Sequence, residues 1–239
     1  MATQASSNDA AALIEAVRAQ GRAMLSEEKA LLAMFGIPVP PSRVVRDPEA
    51  AAAALLEIRP PVVVKAVAHG LAHKTDVGAV MFPINTGAAA QAACRTIAKR
   101  VTAARPNITL EGFLIEAYRP GQPEWILALR VDPDFGPAIM FGLGGIYVEA
   151  LRQVSLRLAP VNQRDVEALL TERPAMRILD GARGRPNTDR AALADTITRL
   201  SDLAARHDII SELSDIEINP LIINGGRALA LDALVVLRH

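Results

Sequence analysis

At 239 residues the chain is long enough to bury a substantial core, in one large domain or in two lobes. Its 26 basic and 26 acidic residues give a formal net charge of zero, which provides no general attraction to nucleic acid or to anionic membranes. A hydrophobic content of 51% excludes disorder along the whole chain, and no apolar run reaches the ~18 residues needed to span a bilayer. Because the polar N-terminus also lacks a signal-peptide pattern, we expect a soluble, cytoplasmic protein.

The first sixty residues predict helices separated by an extended, proline-rich connector. The predicted helices cover residues 9–21, residues 27–35 with Ser26 as cap, and a segment from Asp47-Pro48 to about residue 58. Residues 37–41 form the connector. The N-terminal part of the chain is therefore expected to be mainly helical.

From residue 61 onward, β-branched runs alternate with amphipathic segments. Strands are predicted at 61–67, 77–84, 113–118, 124–131 and 138–141, and helices at 87–104, 163–171 and 188–207. Strands 113–118 and 124–131 are expected to pair with each other across residues 119–123, a connector that is also a candidate hinge. The single cysteine, Cys94, is expected to be buried in the helix 87–104. Strands and helices alternate without a strict βαβ rhythm, which favours α+β lobes over one doubly wound sheet.

The C-terminal segment predicts a β-hairpin that carries oxygen-bearing side chains. Its two apolar runs meet at Asn224-Gly-Gly, a sequence typical of a tight hairpin turn. Glu217 and Asn219 project to the same side of the first run, and Asp232 is expected near them on the second. Carboxylate and amide oxygens suit a hard cation such as Mg²⁺. The alternative is an edge break at Asn219 and a solvated Asp232.

Lys65 lies inside an otherwise apolar strand, where an unpaired buried ammonium is costly. Such a lysine either holds an anion such as phosphate in a cleft, or reaches outward from an edge strand. Both interpretations remain open from the local sequence alone.

A polar loop comes after that strand and contains His73, Lys74, Thr75 and Asp76 before Gly78. Its backbone N–H groups can cradle phosphate oxygens, Lys74 adds charge, and a neutral histidine is nucleophilic. The alternative is a solvated surface loop.

The strand end Glu116-Ala117-Tyr118 can offer backbone groups to a purine edge, while Glu124 can accept a hydrogen bond from a ribose hydroxyl. Spacing alone does not distinguish this from ordinary strand residues. The glycine-rich run that starts at Gly142 lacks the third glycine of a dinucleotide fingerprint and predicts only a flexible turn after a buried strand.

Together these segments resemble one protein family, the ATP-grasp (β) subunits of ADP-forming acyl-CoA synthetases, relatives of succinyl-CoA synthetase. The resemblance covers roughly residues 26–236. It rests on an ordered set of motifs: Val62–Lys65, His73-Lys-Thr-Asp-Val-Gly, Asp132-Pro-Asp-Phe-Gly-Pro, Phe141-Gly-Leu-Gly-Gly-Ile with Glu149, Leu158-Ala-Pro, Gly181-Ala-Arg-Gly, Glu217-Ile-Asn-Pro-Leu and Leu231-Asp-Ala.

The resemblance implies an ATP-grasp fold of two α+β lobes clasping a nucleotide, with an N-terminal helical extension at 1–25 and lobes at 26–115 and 116–239. It implies ATP/ADP and Mg²⁺ as cofactors. The implied phosphate ligand is Lys65, assisted by the loop with Lys74 and Gly78.

By the same resemblance, residues 116–118 meet the adenine, Glu124 is a weaker ribose candidate, and Asn219 and Asp232 hold Mg²⁺ with Glu217 as neighbour. His73 stands where the family has a proposed phosphohistidine carrier.

The resemblance further implies a partner, because the chain has no CoA-binding segment of its own. The expected partner is a CoA-binding α subunit, in an α₂β₂ assembly, through which the carboxylate and CoA are bound. Two other functions stay open: a stand-alone ATP-grasp carboxylate ligase, and a module that senses ATP/ADP without catalysis.

Overall fold

The computed structural model describes residues 2–19, 24, 26–71, 74–145, 151, 153–181 and 188–238. Its helices, in chain order, are α1 (Ala2–Ala19), α2 (Glu28–Met34), α3 (Pro48–Glu57), α4 (Gly87–Ala104), α5 (Gln163–Leu169), α6 (Arg190–Asp202) and α7 (His207–Ile210). Its strands are β1 (Ser42–Val45), β2 (Val62–Ala68), β3 (Val80–Ile84), β4 (Leu110–Ala117), β5 (Trp125–Asp132), β6 (Gly136–Leu143), β7 (Val154–Leu158), β8 (Leu213–Asn224), β9 (Arg227–Ala230) and β10 (Ala233–Leu237). Short 3₁₀ helices cover Pro174–Asp180 and Leu203–Ala205.

The chain folds into two compact units. The small unit consists of Pro40–Arg119, and the large unit combines Met1–Val39 with Pro120–His239. These divisions differ from the predicted lobes, because residues 26–39 group with the C-terminal part of the chain. The buried residues Leu31, Leu32 and Ile37 belong to the same hydrophobic core as the strands of the large unit, which explains the grouping.

The small unit is an antiparallel sheet with strand order β1-β4-β2-β3, covered on one face by α3 and α4. Asp47 caps α3 at its predicted start by accepting a hydrogen bond from the Ala50 amide at 2.8 Å. Helix α4 has the predicted bounds, and its Cys94 is fully buried, also as predicted. Burial raises the pKa of the Cys94 thiol to about 12, so the thiol stays protonated at neutral pH.

The large unit contains a sheet with the order β10-β8-β5-β6-β7, in which every pair is antiparallel and β9 pairs with the second half of β8. One face of this sheet forms a core with α1, α2, α5 and α6. Trp125 and Phe141 are fully buried there, and their rings stack with centroids 5.5 Å apart.

The structure differs from the predicted elements in several places. The strands at 113–118 and 124–131 do not pair with each other: β4 lies between β1 and β2, whereas β5 lies between β6 and β8. Ser26 does not cap α2, whose N-cap position is Glu27 without a side-chain cap bond. The long helix at 188–207 is instead α6 followed by a 3₁₀ turn and the short α7.

The C-terminal hairpin is confirmed, with Asn224 opposite Arg227 across a two-residue turn. Gly225 and Gly226 have φ of 60° and 72°, values that favour glycine. Asp232, however, lies in a short break between β9 and β10 and not within a strand. None of the helices in the described part of the chain combines the length and apolarity that crossing a bilayer requires.

Candidate active site

The small unit holds a buried ion pair at the centre of its sheet. Lys65 Nζ lies 3.0 Å from Glu116 Oε1, and the two residues are 7% and 1% exposed. Val63 is opposite Glu116 and Lys65 is opposite Leu114, so both charged side chains occupy the same face of the neighbouring strands. Because β2 lies between β3 and β4, the edge-strand interpretation of Lys65 is wrong. An ammonium retained in such a position, against its desolvation penalty, is a candidate for anion binding.

The strand end after Glu116 has part of its backbone already engaged. The amide of Ala117 donates to the carbonyl of Pro41, and the amide of Tyr118 donates to that of Pro61, both at 2.9 Å. These N–H groups are therefore not available to a purine, which restricts the predicted adenine contact at residues 116–118 to other backbone groups. The Tyr118 ring stacks on Phe82 at 5.3 Å.

The polar loop after β2 closes on itself. Gly78 has φ of 64° and donates its amide to the carbonyl of Thr75 at 3.0 Å, while the Ala79 amide donates to the carbonyl of Lys74 at 2.8 Å. These two backbone amides are therefore not available to bind phosphate oxygens, the role that the sequence predicted for this loop. His73, the candidate phosphoryl carrier, lies outside the described residues.

In the large unit, the glycine segment after β6 joins two predicted site residues. The Gly144 amide donates to the carbonyl of Glu124 at 2.9 Å, and the Gly145 amide donates to Asn219 Oδ1 at 3.0 Å. A Cβ added at Gly145 would overlap the Glu124 carboxylate, so this carboxylate lies directly against the turn. The sequence indicated a flexible turn here, but no local signal identified Glu124 and Asn219 as its partners.

Burial raises the pKa of Glu124 above the ordinary glutamate value. The raised pKa means that the ionised form is stabilised less in the folded state than in the unfolded state. Protein stability contributed by this group therefore falls as the pH rises from the unfolded pKa through the folded pKa.

We expect Glu124→Gln to raise the thermal unfolding midpoint at neutral pH, because the variant has no carboxylate to desolvate. The difference from the wild type should vanish in acid, below the unfolded pKa, where both proteins are neutral at this position. Thermal unfolding followed by circular dichroism from neutral to acidic pH tests this. A difference that persists unchanged in acid would contradict the role of charge.

The predicted metal donors meet where β8 changes its pairing partner. The backbone amide of Asn219 donates to the backbone carbonyl of Asp232 at 3.2 Å. The backbone amide of Leu231 donates to the backbone carbonyl of Pro220 at 3.0 Å. Glu217 lies on β8 opposite Ala128 and Leu234. Thus the predicted proximity of Asn219 and Asp232 is present at the level of the backbone, although Asp232 is not a strand residue.

An amide and a carboxylate are suitable donors for Mg²⁺, which takes oxygen ligands and commonly shares its shell with water and substrate phosphates. The described residues contain no group of three or more His, Cys, Asp or Glu placed to hold a metal ion.

Comparison with known proteins identifies the class of this fold. A family model described as an ATP-grasp domain matches residues 16–237. The predicted α+β ATP-grasp fold is thereby confirmed, with both sheets antiparallel.

Individual relatives identify the family within the ATP-grasp class to which the chain belongs. The β subunit of acetate–CoA ligase [ADP-forming] I from Pyrococcus furiosus is 39% identical over 226 residues, covering 94% of this chain and 96% of the relative. A structure of acetyl-coenzyme A synthetase 1 from Ca. Korarchaeum cryptofilum, in complex with coenzyme A and Ca-AMPCP, superposes with a TM-score of 0.89 at 34% identity, covering 95% of this chain and 98% of that one. Another structure of that synthetase, with coenzyme A, Mg-AMPPCP and a phosphohistidine segment pointing towards the nucleotide-binding site, gives 0.80 at 32% identity, covering 96% and 100%. The chain belongs to the family of ATP-grasp β subunits of ADP-forming acyl-CoA synthetases.

Proposed function

We propose that this chain is the nucleotide-binding β subunit of an ADP-forming acyl-CoA synthetase, an acid–thiol ligase. The observation that supports this most directly is the near full-length similarity to a protein named as such a β subunit. The overall reaction interconverts acyl-CoA, ADP and phosphate with the free acid, CoA and ATP.

In this function ATP/ADP binds with its phosphates near the Lys65 ammonium, whose charge offsets that of the phosphoryl oxygens. Lys74 and Gly78 belong to the adjoining loop, and residues 116–118 meet the adenine through backbone groups that remain available. The buried Lys65–Glu116 pair supports this assignment, because Glu116 fixes the ammonium in the interior of the sheet.

Asn219 and Asp232 would hold Mg²⁺, with Glu217 beside them, and Glu124 would accept from the ribose. When bound, Mg²⁺ neutralises charge on the phosphates. The hydrogen bond from Gly145 to Asn219 Oδ1 holds the amide oxygen in a defined place and leaves it a further lone pair to offer.

His73 would carry the phosphoryl group. A ring nitrogen of neutral His73 attacks the γ-phosphorus of ATP, an N–P bond forms, and the bond to the bridging oxygen breaks as ADP leaves. The phosphoryl group then passes to the acyl-activating part of the enzyme. That part is a CoA-binding α subunit, in an α₂β₂ assembly, to which the carboxylate and CoA bind.

We expect the purified chain to gain the mass of one phosphoryl group when incubated with Mg·ATP at alkaline pH, and to lose it in acid, because a phosphohistidine is acid-labile. His73→Ala should gain nothing. Intact-mass spectrometry measures this, with His69→Ala as the matched control because His69 is an exposed histidine of the same region.

Two results would contradict the proposal. One is an equal mass gain in His73→Ala. The other is no gain in wild-type protein that binds ATP, including after its α subunit is added, which would instead favour a nucleotide-sensing function.

A further inference from the structure

Lys29 is a buried lysine that the proposed reaction does not use. It lies in the first turn of α2 and is only 7% exposed. Its Nζ donates a hydrogen bond of 2.5 Å to the backbone carbonyl of Leu231. Removing an ammonium from water is costly, and a charge-assisted bond to a carbonyl recovers part of that cost.

The acceptor of this bond belongs to the peptide group that joins Leu231 to Asp232. On its other side, the same segment is tied to β8 by the two backbone bonds between 219–220 and 231–232. Leu231 and Asp232 lie between β9 and β10 and belong to neither strand. Lys29 therefore supplies a contact from outside the sheet to the peptide immediately before a proposed metal donor.

Helix α2 is a firm base for this contact. Leu31 and Leu32, two and three residues beyond Lys29, are completely buried in the core of the large unit. Because its backbone is anchored in the core, Lys29 can hold the peptide that it contacts in a fixed position. A lysine on a solvent-exposed turn could not do so, since the turn itself would move.

We propose that Lys29 is a positioning residue for the metal site, which holds the Leu231–Asp232 peptide so that the Asp232 carboxylate is presented for Mg²⁺ binding. This inference rests on the proposed function, because it assumes that Asp232 is a metal donor. Groups that orient metal ligands through hydrogen bonds, without touching the metal, typically contribute 10–100-fold to metal affinity.

The sign of the effect separates positioning from simple electrostatics. If the ammonium acted only as a nearby charge, removing it would increase the affinity for a divalent cation, because like charges repel. If it positions Asp232, removing it lowers that affinity in spite of the lost repulsion.

The test is the affinity for Mn²⁺ in the presence of ADP, measured from the electron paramagnetic resonance signal of free Mn²⁺. We expect Lys29→Met to bind Mn²⁺ about tenfold more weakly than the wild type. Affinity for ADP in EDTA should not change, because the nucleotide alone does not depend on Asp232. Lys99→Met is the control, since Lys99 is an exposed lysine on α4.

Lys29→Gln provides a second variant if Lys29→Met does not fold. Its side chain is one atom shorter than that of lysine and carries no charge, so we expect Mn²⁺ binding to weaken in the same direction. Wild-type or tighter Mn²⁺ affinity in either folded variant overturns the inference. Failure of the wild type itself to bind Mn²⁺ with ADP would overturn the proposed function, and the two failures are thus distinguishable.

Discussion

Replacing Lys65 by Met is expected to lower kcat for ATP-dependent acyl-CoA formation by about 10²–10³, the usual effect of removing one preorganised group that stabilises transition-state charge. Lys65 is the buried cation of the small-unit sheet, and Met fills a similar volume without the charge. Steady-state kinetics of the assembled synthetase measure the effect. Lys99→Met, on the surface of α4, should leave kcat unchanged.

The same substitution also disturbs folding, because it leaves the Glu116 carboxylate, 1% exposed, without the ammonium beside it. Breaking a buried pair in this way costs about 3–5 kcal/mol of unfolding free energy. The double variant Lys65→Met/Glu116→Gln removes both charges and should recover most of the stability in urea denaturation. It should remain as inactive as Lys65→Met, and a double variant with near wild-type kcat would show that Lys65 serves only to neutralise Glu116.

Local sequence was sufficient where the determinants of structure are local. Helix α4 has its predicted bounds because Thr86 provides an N-cap hydroxyl, which accepts from the Ala89 amide, and an alanine-rich stretch comes next. The hairpin turn was likewise predictable, because Gly225 and Gly226 adopt positive φ without steric penalty.

Strand partners were not predictable from the same signals. The strands β4 and β5 are neighbours in the sequence, and neighbouring strands often pair, yet each joins a different sheet. The choice depends on which hydrophobic faces are covered by distant helices. For β5 these include the N-terminal helices α1 and α2, whose contribution to the large unit no local pattern indicates.

Some residues of the candidate site could likewise be predicted from the local sequence, and others could not. The sequence indicated Lys65, Asn219 and Asp232 as unusual residues, because each interrupts or ends an apolar run. It did not indicate Glu116 as the partner of Lys65, since that pairing requires the register between β2 and β4. Lys29 gave no signal at all, because a lysine in the first turn of an amphipathic helix is ordinarily solvated.

Gly144, in the glycine segment that follows β6, should not tolerate a side chain. A Cβ added there would lie 2.5 Å from the carbonyl oxygen of Trp125 and 2.9 Å from the amide nitrogen of Ile126. Both are backbone atoms of a fully buried strand start, so no side-chain movement relieves the overlap. Moving the segment instead would break the hydrogen bond from the Gly144 amide to the Glu124 carbonyl.

Gly144→Ala should therefore lower the unfolding free energy by about 3 kcal/mol, the upper end of the usual range for overpacking. Gly136→Ala is the matched control. Gly136 has φ of 80° and no atom within 4 Å of an added Cβ, so only its backbone conformation opposes the change, at about 1–2 kcal/mol. Urea denaturation of both variants gives the comparison. If Gly144→Ala proved no less stable than Gly136→Ala, the close approach of this segment to β5 would not be the reason for glycine at position 144.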